Sequence, residues 1–168
     1  VGQTANDTNL NGALKNLENF IPILKSPLNN LNLDGIKHVD LFLNDQSQLK
    51  PDILITAGLS VLSKKLKNFL RNNKPGSHYH FDPAGVEIDT YATKPEIIRA
   101  TLSSYLAQIE LFETDENFLL SWKKFSESAE LKLNKNLSSA KFSETLAFYK
   151  VLESIPADID LHLGNSMP

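Results

Sequence analysis

The chain predicts an α/β domain built on a mostly parallel sheet of about five or six strands, with helices on both faces. Three observations carry this prediction. Strand-like and helix-like runs alternate from end to end, the order that produces parallel strands joined by crossover helices. Ile53-Leu54-Ile55-Thr56 is almost wholly apolar, as expected of a strand buried on both faces. The 168 residues, 41% apolar and 22% charged, have the size and composition of one folded domain rather than a disordered segment.

Taken in order, Gly2 and Gln3 read as the tail of a first strand, and Asn11–Phe20 as a helix with Ala13, Leu14, Leu17 and Phe20 on one face. Ile21–Leu24 is a short strand in which Pro22 implies an edge or strand-end position. A weak helix is expected from about Asp34 to Leu43. The strand at Ile53–Thr56 turns through Ala57-Gly58-Leu59-Ser60 into an amphipathic helix over Val61–Leu70, with Ser60 as its cap. Ser77–Phe81 is the next strand, closed by Asp82-Pro83. Thr93-Lys94-Pro95-Glu96 has the form of a capped helix start, continued by Ile98, Leu102, Tyr105, Leu106 and Ile109. Thr114-Asp115-Glu116 opens another helix with acids in its first turn, burying Phe118, Leu119, Trp122 and Phe125. Phe142–Ile155 is the last helix, ended by Pro156, and Asp160–Gly164 is a final strand.

Several function classes are excluded by composition. A net charge of −3 lacks the basic excess of nucleic-acid-binding domains. Without cysteine there are no disulfides, thiolate zinc sites or thiol nucleophiles. No apolar run reaches the roughly 18 residues of a membrane span, and no signal peptide opens the chain. Neither nucleic acid nor integral membrane association is expected, and a cytoplasmic location is. The chain begins at Val1-Gly2-Gln3 and stops at Met167-Pro168 just after a strand-like run. Both ends read as cuts in a longer polypeptide.

The motifs are modest. A strand, a glycine turn and a helix start can hold an anion, which makes Gly58, Ser60 and Lys64 candidate anion-binding residues. Gly58 stands alone, however, without the several spaced glycines of a dinucleotide fingerprint, and a plain turn explains it better. His78 and His80 share one face of a strand, with Asp82 beyond them, and invite a metal hypothesis. Strand side chains project in parallel rather than converge, so no metal site is assigned. Tyr79 and Phe81 would fill the core while the histidines meet helices or solvent. Asp82, Glu87 and Asp89 follow a strand end but lie in ordinary turn chemistry. Single serines such as Ser63 lack a nucleophile elbow, and Trp122 sits at core spacing. No catalytic residue is assigned. Asn165 and Ser166 lie just past a strand's carboxyl end, where parallel sheets bind ligands, although the residues alone favour a structural turn.

Here a family resemblance enters. Asn165-Ser166-Met167-Pro168 after an apolar strand resembles the Asn-Ser-Met-Pro-Val-Arg motif of 2-succinyl-5-enolpyruvyl-6-hydroxy-3-cyclohexene-1-carboxylate synthases. Pro51–Gly58 running into Val61–Lys67, and the strand ending at Asp82-Pro83, agree with the middle region of that family. The resemblance implies a Rossmann-like central domain, residues 1–168, from a three-domain thiamine diphosphate enzyme. Such an enzyme decarboxylates 2-oxoglutarate with the help of Mg²⁺ and adds the succinyl unit to isochorismate in menaquinone biosynthesis. It further implies that Asn165 and Ser166 bind substrate carboxylate or hydroxyl groups. The N- and C-terminal domains of the parent chain would be its partners, its ligands small-molecule substrates, and the parent a homo-oligomer.

The family's Arg lies beyond Pro168, and its thiamine-activating Glu and acidic metal motif belong to the other domains. This chain alone is therefore expected to bind neither thiamine diphosphate nor Mg²⁺, and to be inactive by itself. Two other readings stay open: a dinucleotide-binding module for NAD or FAD, and a regulatory domain sensing an anion at Gly58–Ser60.

Overall fold

A computed structural model of the chain describes residues 1–26, 29–44, 46–108, 114–156 and 159. Among these residues the protein is α/β, with six helices and one parallel sheet of three strands. The chain divides into two compact units, Val1–Ala129 and Glu130–Pro168. The expected strand at Asp160–Gly164 and the continuation of a helix through Ile109 lie outside the described residues.

The first unit contains the sheet. Its strands β1 (Ile53–Ala57), β2 (Ser77–Phe81) and β3 (Glu96–Ile98) lie in that order and run parallel. The register sets Leu54 beside His78, Thr56 beside His80 and Phe81 beside Ile98. Side chains alternate across a strand, so Ile55, Ala57, Tyr79 and Phe81 share one face, while Leu54, Thr56, His78 and His80 share the other.

Each face carries its own apolar cluster. On the first, Ala57 and Phe81 pack with Leu10 and Leu14 of α1 (Thr8–Leu17) and with Leu102 of α4 (Leu102–Leu106). On the second, Leu54 packs against a cluster built from Phe42 of α2 (Val39–Phe42), Leu66, Phe69 and Leu70 of α3 (Lys64–Asn72), and Trp122 of α5 (Glu116–Ser139). The expected helices on both faces are thus present. Trp122 anchors the second cluster through edge-on contacts with Phe42, Phe69 and Phe118, the geometry favoured by aromatic quadrupoles.

Several expectations are corrected. The described sheet has three strands, not five or six. Ile21–Leu24 is no strand: only Leu24 forms a bridge, parallel to Ile36. The first helix spans Thr8–Leu17 rather than Asn11–Phe20, because the Asp7 carboxylate accepts the Asn9 and Leu10 amides and starts it early. Phe20 consequently falls beyond the helix and is exposed. The weak helix expected from Asp34 contracts to Val39–Phe42. β1 carries a cluster on each face, but it lies at the edge of the described sheet and Ile53 is 58% exposed, so the strand is less buried than its apolar run implies.

The cap of α3 is Ser63, whose Oγ accepts the Leu66 amide at 2.9 Å, and not Ser60. Ser60 is still part of the turn, where its carbonyl accepts the Gln3 amide.

The largest departure concerns Thr93–Glu96. No helix starts there, because the Asp89 carboxylate already accepts the Thr93 and Lys94 amides, closing a turn in which Ala92 and Lys94 adopt left-handed backbone. Pro95 then releases the chain into β3, and the next helix is capped by Thr101, which accepts the Ser104 amide.

The second unit comprises the C-terminal part of α5 and α6 (Glu144–Ser154). Ser143 caps α6 by accepting the Leu146 amide. The helix is therefore shorter than the Phe142–Ile155 expected, and Phe142 precedes it, 89% exposed.

Leu49, in the short 3-10 turn Ser47–Leu49, is wholly buried in the second cluster. Leu49→Ala is expected to cost about 2–5 kcal/mol by leaving a cavity that cannot fully collapse. Urea unfolding measures it, and a loss below about 1 kcal/mol would show that this turn is not part of the core.

Candidate functional site

The turn at Gly58 owes its shape to the segment packed on it. Gly58 has φ of 80°, and a β-carbon there would lie 2.7 Å from the Gln3 carbonyl oxygen. The Gly2 amide donates to the Ala57 carbonyl and the Leu59 amide to that of Gln3, so the N-terminal residues continue the sheet edge as backbone contacts. Lys64 lies further on, as the first residue of α3 under the Ser63 cap. Ser63 also donates to the Asp40 carboxylate at 2.7 Å, which sets a negative group at this helix's N-terminus, where the dipole favours one. Gly58 and Ser60 thus belong to the turn, and Lys64 is the first residue of α3. Asn165 and Ser166 lie outside the described residues.

The acidic candidates are engaged in turns. Asp82 accepts the Ala84 and Val86 amides, and Asp89 those of Thr93 and Lys94. Burial works to raise the Asp89 carboxyl. The hydrogen bonds from Thr93 and Lys94, with the nearby His78 ring, outweigh it and hold the group below its ordinary value.

The most structured polar group is one that the residue pattern only half revealed. His78 and His80 are each 6% exposed, not turned to solvent, and they are linked through Thr56. Thr56 Oγ1 lies 2.7 Å from His78 Nε2 and 2.9 Å from His80 Nδ1. Beyond it, His78 Nδ1 meets Thr93 Oγ1 at 2.6 Å, and the Thr93 hydroxyl reaches Asp89 at 3.5 Å. A single chain of hydrogen bonds therefore joins β1, β2 and the turn before β3. The sequence reading took Asp89 as a turn carboxylate and Thr93 as a helix cap, and it did not join them or Thr56 to the histidines, because their proximity depends on strand register and on a turn spanning many residues. The paired histidines on one strand face were the only legible signal.

Burial pushes the His78 imidazole down to about 4, with the neighbouring His80 adding to the effect and Asp89 opposing it. Burial also lowers His80, against the pull of Asp82. Both rings are neutral at physiological pH. Among the described residues, no group of three or more His, Asp or Glu side chains could hold a metal ion. No helix among them is long and apolar enough to cross a membrane.

No family model matches the chain. Individual relatives do. Over 147 residues, 81% of the chain, it is 31% identical to the 2-succinyl-5-enolpyruvyl-6-hydroxy-3-cyclohexene-1-carboxylate synthase of Cytophaga hutchinsonii, of which it covers 26%. The chain is homologous to part of this synthase. The same-named protein of Porphyromonas gingivalis is 28% identical across 96% of the chain, and that of Flavobacterium johnsoniae 31% identical across 89%. The chain spans 26–31% of the length of these synthases. The described residues offer neither an acidic cage for Mg²⁺ nor a glycine-rich cradle for a diphosphate. They do not fit the thiamine diphosphate and metal of the synthase, and no catalytic step is derived from them.

Two outcomes follow for this site. An unfolded histidine titrates near its ordinary value of 6.5, and folded His78 near 4, so below 6.5 the unfolded chain binds more protons. Stability should be complete above pH 6.5, fall as the pH drops toward 4, and level off below that. After allowance for solvent screening the loss is on the order of 2 kcal/mol. Urea unfolding across this range should show the slope, and His78→Gln should flatten it; an unchanged slope in that variant would refute the assignment. Separately, Gly58→Ala should destabilise by at least about 1 kcal/mol, because left-handed backbone is penalised and the new methyl group meets the Gln3 carbonyl. A neutral effect on the unfolding midpoint would contradict the close approach of these two segments.

Proposed function

We propose that the chain is the central domain of a thiamine diphosphate-dependent synthase that decarboxylates 2-oxoglutarate and joins the succinyl unit to isochorismate in menaquinone biosynthesis. Its role there is scaffold, with one edge of the substrate site at Asn165 and Ser166. The observation that carries this reading is homology to the same-named synthases over most of the chain but only 26–31% of their length. The involvement of Asp82 and Asp89 in backbone turns agrees with a supporting domain. Thiamine diphosphate and Mg²⁺ would be held by the neighbouring domains. An amide and a hydroxyl at Asn165 and Ser166 suit hydrogen bonding to substrate carboxylate or hydroxyl groups.

The test is an assay of the full polypeptide encoded by the native gene, with 2-oxoglutarate, isochorismate, thiamine diphosphate and Mg²⁺, alongside this 168-residue chain. The full polypeptide should turn over and the 168-residue chain should not, since the cofactor chemistry needs protein groups that orient it. In the full polypeptide, Asn165→Ala and Ser166→Ala should each lower kcat/KM by about 10- to 100-fold, the worth of one hydrogen bond to a charged substrate group. Full activity in both variants would remove the substrate-edge role. A full polypeptide with no synthase activity would overturn the reading altogether.

A further inference from the structure

In the order β1-β2-β3, no strand of the described sheet lies on the side of β1 away from β2. Such an edge presents a row of unpaired amides and carbonyls, whereas an apolar run like that of β1 is typical of the interior of a parallel sheet. Every residue of β1 also lines a cavity of about 580 Å³, and Ile21–Leu24 line it too. The cavity follows the edge onto both faces of the sheet. Leu14 and Leu102 of one apolar cluster border it, and so do Leu66 and Leu70 of the other.

The backbone of Val1–Gln3 already extends this edge at its carboxyl end. The Gly2 amide donates to the Ala57 carbonyl at 2.8 Å, the Gln3 amide to that of Ser60 at 3.2 Å, and the Leu59 amide to that of Gln3 at 2.9 Å. Residue numbers rise together on the two sides, so the segment runs parallel to β1. On its other side it is tied to Leu24. The wholly buried Asn29 donates from its side-chain amide to the Val1 carbonyl at 3.3 Å and to the Leu24 carbonyl at 3.0 Å.

Traced backwards from Val1 in this direction, a strand would pass Ala57, then Ile55, then Ile53. The amide and carbonyl of one residue point to the same side of a parallel strand and alternate along it. The Ala57 carbonyl faces Gly2, so the Ile55 and Ala57 amides face the free side. Val1 itself packs with the first apolar cluster. Desolvation there pulls its amine down to about 6, whereas a peptide group in the same place carries no charge to desolvate.

We propose that the free side of β1 is the docking site for the stretch of parent polypeptide leading into Val1, which lies there as an apolar parallel strand of about five residues, matching the length of β1. Its alternate side chains would meet Leu14 and Leu102 on one face and Leu66 and Leu70 on the other, where a charged residue would be desolvated without a partner. The continuity of Val1–Gln3 with β1 favours this occupant over a second copy of the chain. The inference rests on the proposed function only in taking the polypeptide to continue before Val1. Its test reads backbone protection rather than turnover, so an inactive full polypeptide would leave it standing.

The test compares the 168-residue chain with one lengthened upstream by about ten residues of the native polypeptide, enough to run the length of β1. Amide hydrogen exchange read by NMR should slow roughly tenfold or more at Ile55 and Ala57 in the longer chain. An extension of equal length made of glycine and serine should not slow it. Should the 168-residue chain fail to fold, the native gene decides: the five or so residues before Val1 should form an apolar run without charge or proline. A charge or a proline within that run would overturn the proposal. So would fast exchange at both amides in the longer chain, or equal protection from the glycine-serine extension. Equally slow exchange in the 168-residue chain would overturn it too, since another segment or a second copy would then already cover the edge.

Discussion

The register between β1 and β2 places Thr56 between two buried imidazoles, and much of the first unit rests on that placement. A polar group taken out of water costs free energy unless it finds a partner. His78 and His80 lie on a face otherwise covered by α3, α5 and Tyr91, where such a debt would be large. The Thr56 hydroxyl settles it for both rings at once. Slippage by one residue would turn Tyr79 and Phe81 toward that cluster and send the histidines into the one around α1 and α4. The hydrogen bonds thus choose a register that apolar packing alone would choose less firmly.

The same group ties the sheet to the turn that follows β2. Asp89 holds the Thr93 and Lys94 amides, and Thr93 in turn meets His78. With these groups engaged in a closed turn, Glu96–Ile98 is delivered to the open edge of β2 as a third strand. Asp82 organises the start of the same connection through Ala84 and Val86. Arg99 then packs against Gly85, where a β-carbon would come within 2.5 Å of its side chain. These carboxylates act chiefly on the backbone.

Homology and geometry bear on different questions. Relatives matched over most of the chain relate it to a synthase family, and they do so through the whole run of sequence rather than through one site. The geometry isolates a buried polar group that composition alone would not reveal.

By itself the sequence determined the features that depend on short-range pattern. Among these are the α/β class, the strands at Ile53 and Ser77, the helix beginning after Asp115 with Leu119 and Trp122 inward, and the resemblance to the synthase family. Apolar runs and helical period are local properties, so they survive in any tertiary setting. The structure alone decided where helices start and which polar groups meet. Thr93-Lys94-Pro95-Glu96 has a helix-start pattern and yet leads into a strand, because Asp89 and His78 claim the groups a cap would use. Ser60 and Ser63 are equally good caps on paper; contact with Gln3 holds the first in the turn and leaves the second to start α3. Thr56 became the centre of the polar group only when parallel pairing brought residues 22 and 24 positions apart to one point, and pairing across that distance is settled by packing rather than by local pattern.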